Sequence, residues 1–315
     1  MGRILTNRQI VGSKIEAVEG VAETLTGAEC NIQTVEPPKF DPTVSMFKRN
    51  LIDGSLSPFK MIPGTRLAKI SFKVEVKGSG TAGTPPAFGK LNKACGLGET
   101  VVAVTSVTYA PVSALASIPT LTLSCYVDGV REQIRGARGN RKYVAKIGEP
   151  AMYEYEFIGI YDGVTDVALP TPSGVQTTVP TALLSAQFSI ASFAAFASQI
   201  QFDLSNTLEP RSDMNKSEGY VSTLITARDP KGSFDPEMEL VATHDFYGRW
   251  LAATTGILTW RHTGSAGNIL IVSAPACQYT KIAPAARNGL ATLGADFLLS
   301  RSAAAGDDEV SEAWT

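Results

Sequence analysis

Arg49, Arg66, Ser71 and Phe72 recur as Arg211, Arg228, Ser233 and Phe234 at one interval, since 211 − 49, 228 − 66, 233 − 71 and 234 − 72 all equal 162. An ungapped interval of that length points to one supersecondary design used twice, so each half is to be read against the other. Downstream, Phe88-Gly89-Lys90-Leu91 followed by Gly96 is answered by Tyr247-Gly248-Arg249-Trp250 followed by Gly256. The chemical types agree: aromatic, glycine, cation, large apolar residue, then glycine. Between these blocks the first copy carries an extra loop, Gly78 to Pro86. Each copy then resumes with strand-like sequence and a glycine suited to a hairpin, Val127-Asp128-Gly129 and Ser265-Ala266-Gly267.

With 315 residues and 44% hydrophobic content, the chain can bury two ordinary cores. The segment from Ala168 through Pro180, rich in Pro, Thr and Gly, reads as a linker between them. The expected organisation is a first domain over 1–166, a linker over 167–181, a second domain over 182–300 and an acidic C-terminal tail over 301–315. Terminal disorder is the default expectation for that tail, with ordering only on assembly as the alternative. Ile70, Phe72, Val74 and Val76 alternate with polar residues, as in a half-buried strand. Similar segments recur at Leu121 to Val127, Tyr153 to Ile160, Ile257 to Trp260 and Asn268 to Val272. Two segments read as short helices, Ala87 to Ala94 and His244 to Ala253, each ending near a glycine suited to a C-terminal cap. The fold class is mainly β, with each copy a β-sandwich or barrel carrying one flanking helix. Two polar stretches, 49–63 and 211–224, are too long for tight turns and are expected to project as arms.

The formal net charge of −2 gives no global attraction to nucleic acid or an anionic membrane. Cys30, Cys95, Cys125 and Cys277 lie far apart and only His244 and His262 accompany them, so a zinc cluster or disulfide framework is not expected. The cysteines read as core residues of a protein made in a reducing cytosol. An apolar signal segment is absent from the N-terminus, and Met1-Gly2-Arg3-Ile4-Leu5-Thr6 fits only the loose myristoylation pattern. The uncharged run from Ala182 to Ile200 is long enough to span a bilayer, but its serines and glutamines and its period-two ending suggest two strands joined by a turn. No membrane insertion is expected.

Candidate chemistry is sparse. Gly78-Ser79-Gly80-Thr81-Ala82-Gly83 satisfies G-x-G-x-x-G, yet Thr84-Pro85-Pro86 separates it from the helix whose N-terminus would have to hold a pyrophosphate. A flexible loop is the expectation, with a nucleotide-binding enzyme as the alternative from another class. Gly83 to Lys90 has the wrong spacing for a Walker element and Leu91 where a hydroxyl is needed. His244-Asp245 has no assignable nucleophile. The basic run Arg135 to Lys142 lacks interleaved aromatics and is expected to be a solvated or intersubunit hairpin end. No catalytic residue, cofactor or metal site is assigned.

Several phrases in order carry a resemblance: Lys14-Ile15-Glu16-Ala17-Val18-Glu19-Gly20 near the start, Pro63-Gly64-Thr65-Arg66, Gly78 to Thr84, Val107 to Val112, Asp128-Gly129 leading to Gly136-Ala137-Arg138-Gly139, and Thr263 with Ala266-Gly267-Asn268. The chain resembles the major tail tube proteins of long, non-contractile (siphovirus-like) bacteriophage tails, of the tandem-duplicated type. The resemblance implies two β-sandwich tube domains per chain, and three chains in a ring of six similar domains. It further implies rings stacked around a lumen that conducts double-stranded DNA, a virion location after assembly in the bacterial cytoplasm, and contacts with tape measure, tail terminator and tail tip proteins. A contractile-tail or secretion-system tube subunit, or a decoration or adhesion module, is the alternative among structural proteins. Under this reading the expected inter-subunit or inter-ring contacts are Arg49, Asp53, Arg66, Arg135, Arg138, Arg141, Arg211, Asp213 and Arg228. The lumen is expected to be acidic and neutral, because each phosphate neutralised by a basic wall would add salt-sensitive affinity for the passing DNA.

Overall fold

The computed structural model describes residues 4–315, so the Met1-Gly2-Arg3 part of the myristoylation-like pattern lies outside the described residues. The first half forms β1 (Gln9–Ile15), β2 (Lys39–Phe47), β3 (Ile62–Glu75), α1 (Gly89–Ala94), β4 (Leu97–Val102), β5 (Ser106–Pro111), β6 (Leu121–Val127), β7 (Val130–Lys146) and β8 (Met152–Asp166). The second half adds β9 (Ser189–Ile190), β10 (Ala197–Asp203), β11 (Asn206–Ser212), β12 (Tyr220–Arg228), β13 (Lys231–Pro236), α2 (Phe246–Leu251), β14 (Thr255–His262), β15 (Leu270–Arg287), β16 (Leu290–Ser300) and β17 (Ser311–Trp314). Among the described residues no helix is long and apolar enough to cross a membrane, and the 182–200 stretch supplies only β9 and the start of β10.

Eight strands in the order β2-β3-β8-β7-β10-β13-β16-β15 make a continuous antiparallel wall. Alternation creates its two faces. In β3, Ile70, Phe72 and Val74 are buried while Lys69, Ser71 and Lys73 face solvent. Burying each such apolar side chain contributes roughly 1.5–3 kcal/mol. The long strands β7 and β15 run beyond the wall, where β6 and β14 pair with them, and β1 and β9 pair with β6 and β14. This second layer covers the wall's apolar face: Trp260 of β14 lies 5.5 Å from Tyr143 of β7, and Trp314 of β17 meets Phe88, which in turn meets Tyr153 of β8.

The two halves share a pairing register. Lys39 pairs with Ser71 and Val44 with Arg66. Moved by 162, these become Gln201 with Ser233 and Asn206 with Arg228, and both pairs exist. Phe40-Asp41 and Phe202-Asp203 are further identities at that interval, occupying corresponding places in β2 and β10. One strand further in, Glu156-Phe157-Ile158 of β8 and Asp296-Phe297-Leu298 of β16 take like places, each facing the Ser-Phe strand of its own half. In the second half the corresponding strand is interrupted at Asp229-Pro230, between β12 and β13, where proline has no N–H to give to a ladder. The β11–β12 pair thereby becomes a separate two-stranded sheet.

A separation into two domains is not shown. One hydrophobic cluster runs through both halves, with Tyr143 stacked on Phe202 at 5.4 Å across the junction of β7 and β10. The 167–181 segment is packed: Gln176 donates to the Lys77 carbonyl and accepts from the Ala87 N–H, and Ser173 N–H donates to Gly27. The Gly78–Gly83 loop is not a free insertion either. Gly78 N–H donates to Asn268 Oδ1 and Gly80 N–H to the Gly267 carbonyl, so the loop lies on the second half's β14–β15 turn.

The helices are shorter than expected and their ends differ. Gly96, with φ +81°, follows α1 as a left-handed cap. After α2 the left-handed residue is Ala253, with φ +53°, and Gly256 instead lies in β14. The acidic C-terminal segment is ordered within the single chain: β17 fills the space between β15 and β5.

Candidate assembly surfaces

Both margins of the wall lack a strand partner among the described residues. β2 pairs with β3 on one side only, and β15 has β16 on one side after its pairing with β14 ends at Gln278. Unpaired N–H and C=O groups along such margins are templates for another strand. Pro42 in β2 and Pro284 in β15 fit strands at an edge.

The wall's solvent face is polar and patterned. Reading across the strands, Lys73 pairs with Glu154, Glu154 with Lys142, Lys142 with Asp203, and Asp203 with Lys231. This row of alternating charge crosses the junction between the halves. Lys73 Nζ lies 3.5 Å from Glu154, and nearby Lys69 Nζ lies 2.7 Å from Glu156. Two shallow grooves that share Lys142 and Asp203 run along this face. Exposed pairs of this kind contribute up to about 1 kcal/mol each, so their main consequence is a surface without a dominant sign.

The two ends of the wall are apolar in different ways. Where β2 passes into β3, the 48–61 loop exposes Leu51, Ile52 and Leu56, with Phe47, Met61 and Ile62 beside them. Its basic residues are Lys48, Arg49 and Lys60. At the other end of β3, roughly 40 Å away at about 3.3 Å per residue, β7 passes into β8 next to an apolar groove. The groove is lined by Ile147, Leu184, Phe188, Phe196 and Trp260. Met238, Leu240 and Val241 are exposed just beyond Phe196, with Glu237 and Glu239 among them.

The expected contact residues fall into two sets. Arg49 stacks over Phe59 at 5.7 Å within its loop, and Asp53 caps the Ser55 N–H. Arg66 and Arg211 have exposed side chains, and Asp213 accepts from Asn215, which holds its carboxyl below the usual range. The other four are bound within the chain. Arg135 reaches Asp162 at 2.8 Å and Glu218 at 2.9 Å. Arg138 donates to the carbonyls of Ile118 and Thr223 and to Glu19. Arg228 holds Asp307 and Glu309. Burial works against the Asp307 charge, and bonds from Ser113 and Arg228 outweigh it, lowering its pKa.

Arg141 is fully buried in a bidentate pair with Glu312, also donates to Asn92, and stacks on the Tyr153 ring at 4.4 Å. Tyr153 donates to the same carboxylate. Burial opposes the guanidinium charge, but Glu312 more than offsets it and the arginine pKa is raised.

The basic run is therefore no hairpin end. It lies inside strand β7, with its counter-charges and carbonyls drawn from segments distant in sequence. The second arm also departs from a projecting loop. It is the β11–β12 hairpin, laid on β7 where Gly136 (φ +59°) has Ser222 against it: a Cβ there would meet the Ser222 Cα at 3.0 Å. The hairpin tip rests on the first half through Glu218, whose carbonyl accepts from Arg66 N–H.

Among the described residues nothing resembling a catalytic centre is assembled. His244 stacks on Phe193 at 4.6 Å, and His262 is buried against the Tyr143 hydroxyl at 2.5 Å. All four cysteines are free and buried. Among the described residues no group of three potential ligands could hold a metal ion.

Two open margins, a charge-balanced face and apolar ends are the equipment of a self-assembling wall. No curated protein matches the chain. Residues 6–298 match the family described as phage tail tube protein. The chain belongs to that family: it is a non-enzymatic structural protein of the phage tail, located in the virion.

Proposed function

We propose that the chain is a duplicated tube subunit, three copies of which close into a ring of six similar four-strand units. The observation that carries this is the wall itself. β2-β3-β8-β7 and β10-β13-β16-β15 follow one order and share the β2–β3 register, and they are joined by β7 pairing with β10. If the same junction recurs between chains, closure leaves no edge unpaired. Three chains then supply roughly 24 strands about 4.8 Å apart, which when tilted enclose a channel roughly 40–50 Å across the backbones. Duplex DNA fits such a channel.

Rings stack head to tail in this reading, because the 48–61 loop and the apolar groove occupy opposite ends of the wall and differ in shape. A contact between unlike surfaces does not close and generates a tube. Lys48, Arg49 and Lys60 outweigh Asp53 in the loop, while at the groove margin Glu237 is already held by Arg287, so Glu239 supplies the opposing charge.

The polar face is assigned to the lumen. That assignment revises the acidic bias expected from the sequence: the face alternates in sign, and its lysines already have carboxylate neighbours. Fewer phosphates are then neutralised by the wall, so passing DNA is held weakly. The long non-contractile tail type, and contacts with tape measure, terminator and tail tip proteins, belong to the same proposal. Negative-stain electron microscopy of the concentrated protein tests it. Hollow tubes or stacked rings with three-fold symmetry are expected. Monomers that persist even with a tail-tip initiator present would overturn it.

A further inference from the structure

The junction between the two halves specifies how one chain meets the next. Within the chain, Lys142, Tyr143 and Val144 of β7 pair with Asp203, Phe202 and Gln201 of β10. The counterparts of the β10 residues, 162 positions earlier, are Asp41, Phe40 and Lys39 on the open margin of β2. The counterparts of the β7 residues follow through the neighbouring strand. Lys142, Tyr143 and Val144 face Glu154, Tyr153 and Met152 of β8. Those residues correspond to Gly294, Leu293 and Thr292 of β16, which face Ala283, Pro284 and Ala285 of β15.

We infer that β15 of one copy pairs antiparallel with β2 of a second copy, with Ala283 opposite Asp41, Pro284 opposite Phe40 and Ala285 opposite Lys39. This rests on the ring-forming reading above and adds the partner strand and its register to it.

The side chains at the two margins fit an association that completes itself on assembly. Inside the chain, the large Tyr143 stacks on Phe202 and the seam is buried. At the outer seam Pro284 takes the place of Tyr143, and Phe40 already packs on Tyr161 of its own chain at 6.1 Å. Ala283 and Ala285 present no bulk against Asp41 and Lys39. The free chain thus carries the internal seam's backbone geometry without exposing a second aromatic stack. One-residue slips are opposed because they would turn Phe40 toward the polar face.

Paired cysteines read this register. The native cysteines are buried, so Lys39→Cys with Ala285→Cys places the reactive pair on the polar face of the proposed seam. Directly opposed cross-strand Cβ atoms are about 4.5–5.5 Å apart, close enough to oxidise with small adjustment. Oxidised assemblies should run as covalent multimers on non-reducing gels, while each single variant stays monomeric. Asp41→Cys with Ala283→Cys should behave in the same way. Assembled tubes that cross-link instead through Lys39→Cys with Ala283→Cys, two residues out of register, would overturn the pairing and leave the tube reading intact.

Hydrogen exchange on the unsubstituted chain gives a second readout. Assembly should protect the amides that face outward from the two margins, those of Phe40, Ile282 and Ala286. Assembled tubes with unchanged exchange at these amides would overturn the seam, whereas a chain that forms no rings at all would overturn the functional reading.

Discussion

Arg141 on β7 and Glu312 on β17 form a fully buried ion pair between residues 171 positions apart. Removing one partner of such a pair strands a charge in the core, which costs roughly 3–5 kcal/mol. Glu312→Ala and Arg141→Ala should each lower stability by about that amount in denaturant unfolding, and the double variant should lose clearly less than their sum. Additive losses would show that the two residues act independently.

Acid should weaken the fold through His262. The Trp260 indole N–H donates to the Tyr143 hydroxyl at 3.0 Å, leaving that hydroxyl's own hydrogen for His262 Nε2. Burial pushes the histidine pKa down to about 4 from 6.5. The unfolded chain therefore takes up a proton as pH falls through about 6.5, whereas the folded chain stays neutral until about 4. Stability is full above 6.5 and declines across that window, by roughly 3 kcal/mol for this group. The denaturation midpoint of His262→Gln should fall less between pH 7 and pH 4.5 than that of the unsubstituted chain.

The two long insertions should respond differently to deletion. Shortening the exposed 48–61 loop to a tight turn should leave the unfolding midpoint within about 0.5 kcal/mol of the starting value and abolish stacking, so that single rings replace tubes in micrographs. Removing the β11–β12 hairpin uncovers buried Arg138 and Gly136 and takes away Ser222 and Thr223, both buried. That deletion should destabilise the folded chain itself, visible as a lowered melting temperature before any assembly.

The polar face proposed to line the lumen can be made basic by substitutions outside the hydrophobic cluster. Glu154→Gln, Glu156→Gln and Asp203→Asn together remove the carboxylates facing Lys69, Lys73, Lys142 and Lys231 across the wall, leaving only Glu36 beside Lys73 and Asp229 beside Lys231. Tubes carrying all three should retain short duplex DNA at low salt and release it as salt rises, as counterion release requires. Unaltered tubes should retain little at either salt concentration.

The wall was legible because its signals are local. Alternation in 70–76 and the recurrence of Ser71-Phe72 as Ser233-Phe234 mark equivalent wall strands, and Phe40-Asp41 with Phe202-Asp203 offered the same signal one strand away. The single core was hidden, since a proline-rich segment looks alike whether it swings free or packs, as Gln176 does, against the first half. The basic run misled for a related reason. Charge density along β7 is visible in sequence, but Asp162, Glu218 and Glu312 become its partners only through the topology. The same holds for β17, four residues with no pattern of their own that are fixed by neighbours on both sides.

Because β17 enters the sheet between β15 and β5, the order of synthesis acquires a role. At about 5–20 residues per second, the ribosome delivers Glu312 roughly 10–30 s after Arg141. During that interval a guanidinium destined for the core has no carboxylate, and the margin of β5 has no partner strand. Until residue 311 is added, the amino-terminal half lacks one sheet strand and one buried counter-charge of the native fold. A translation product broken off before residue 311 would lack this closing strand and would leave buried Arg141 without its carboxylate.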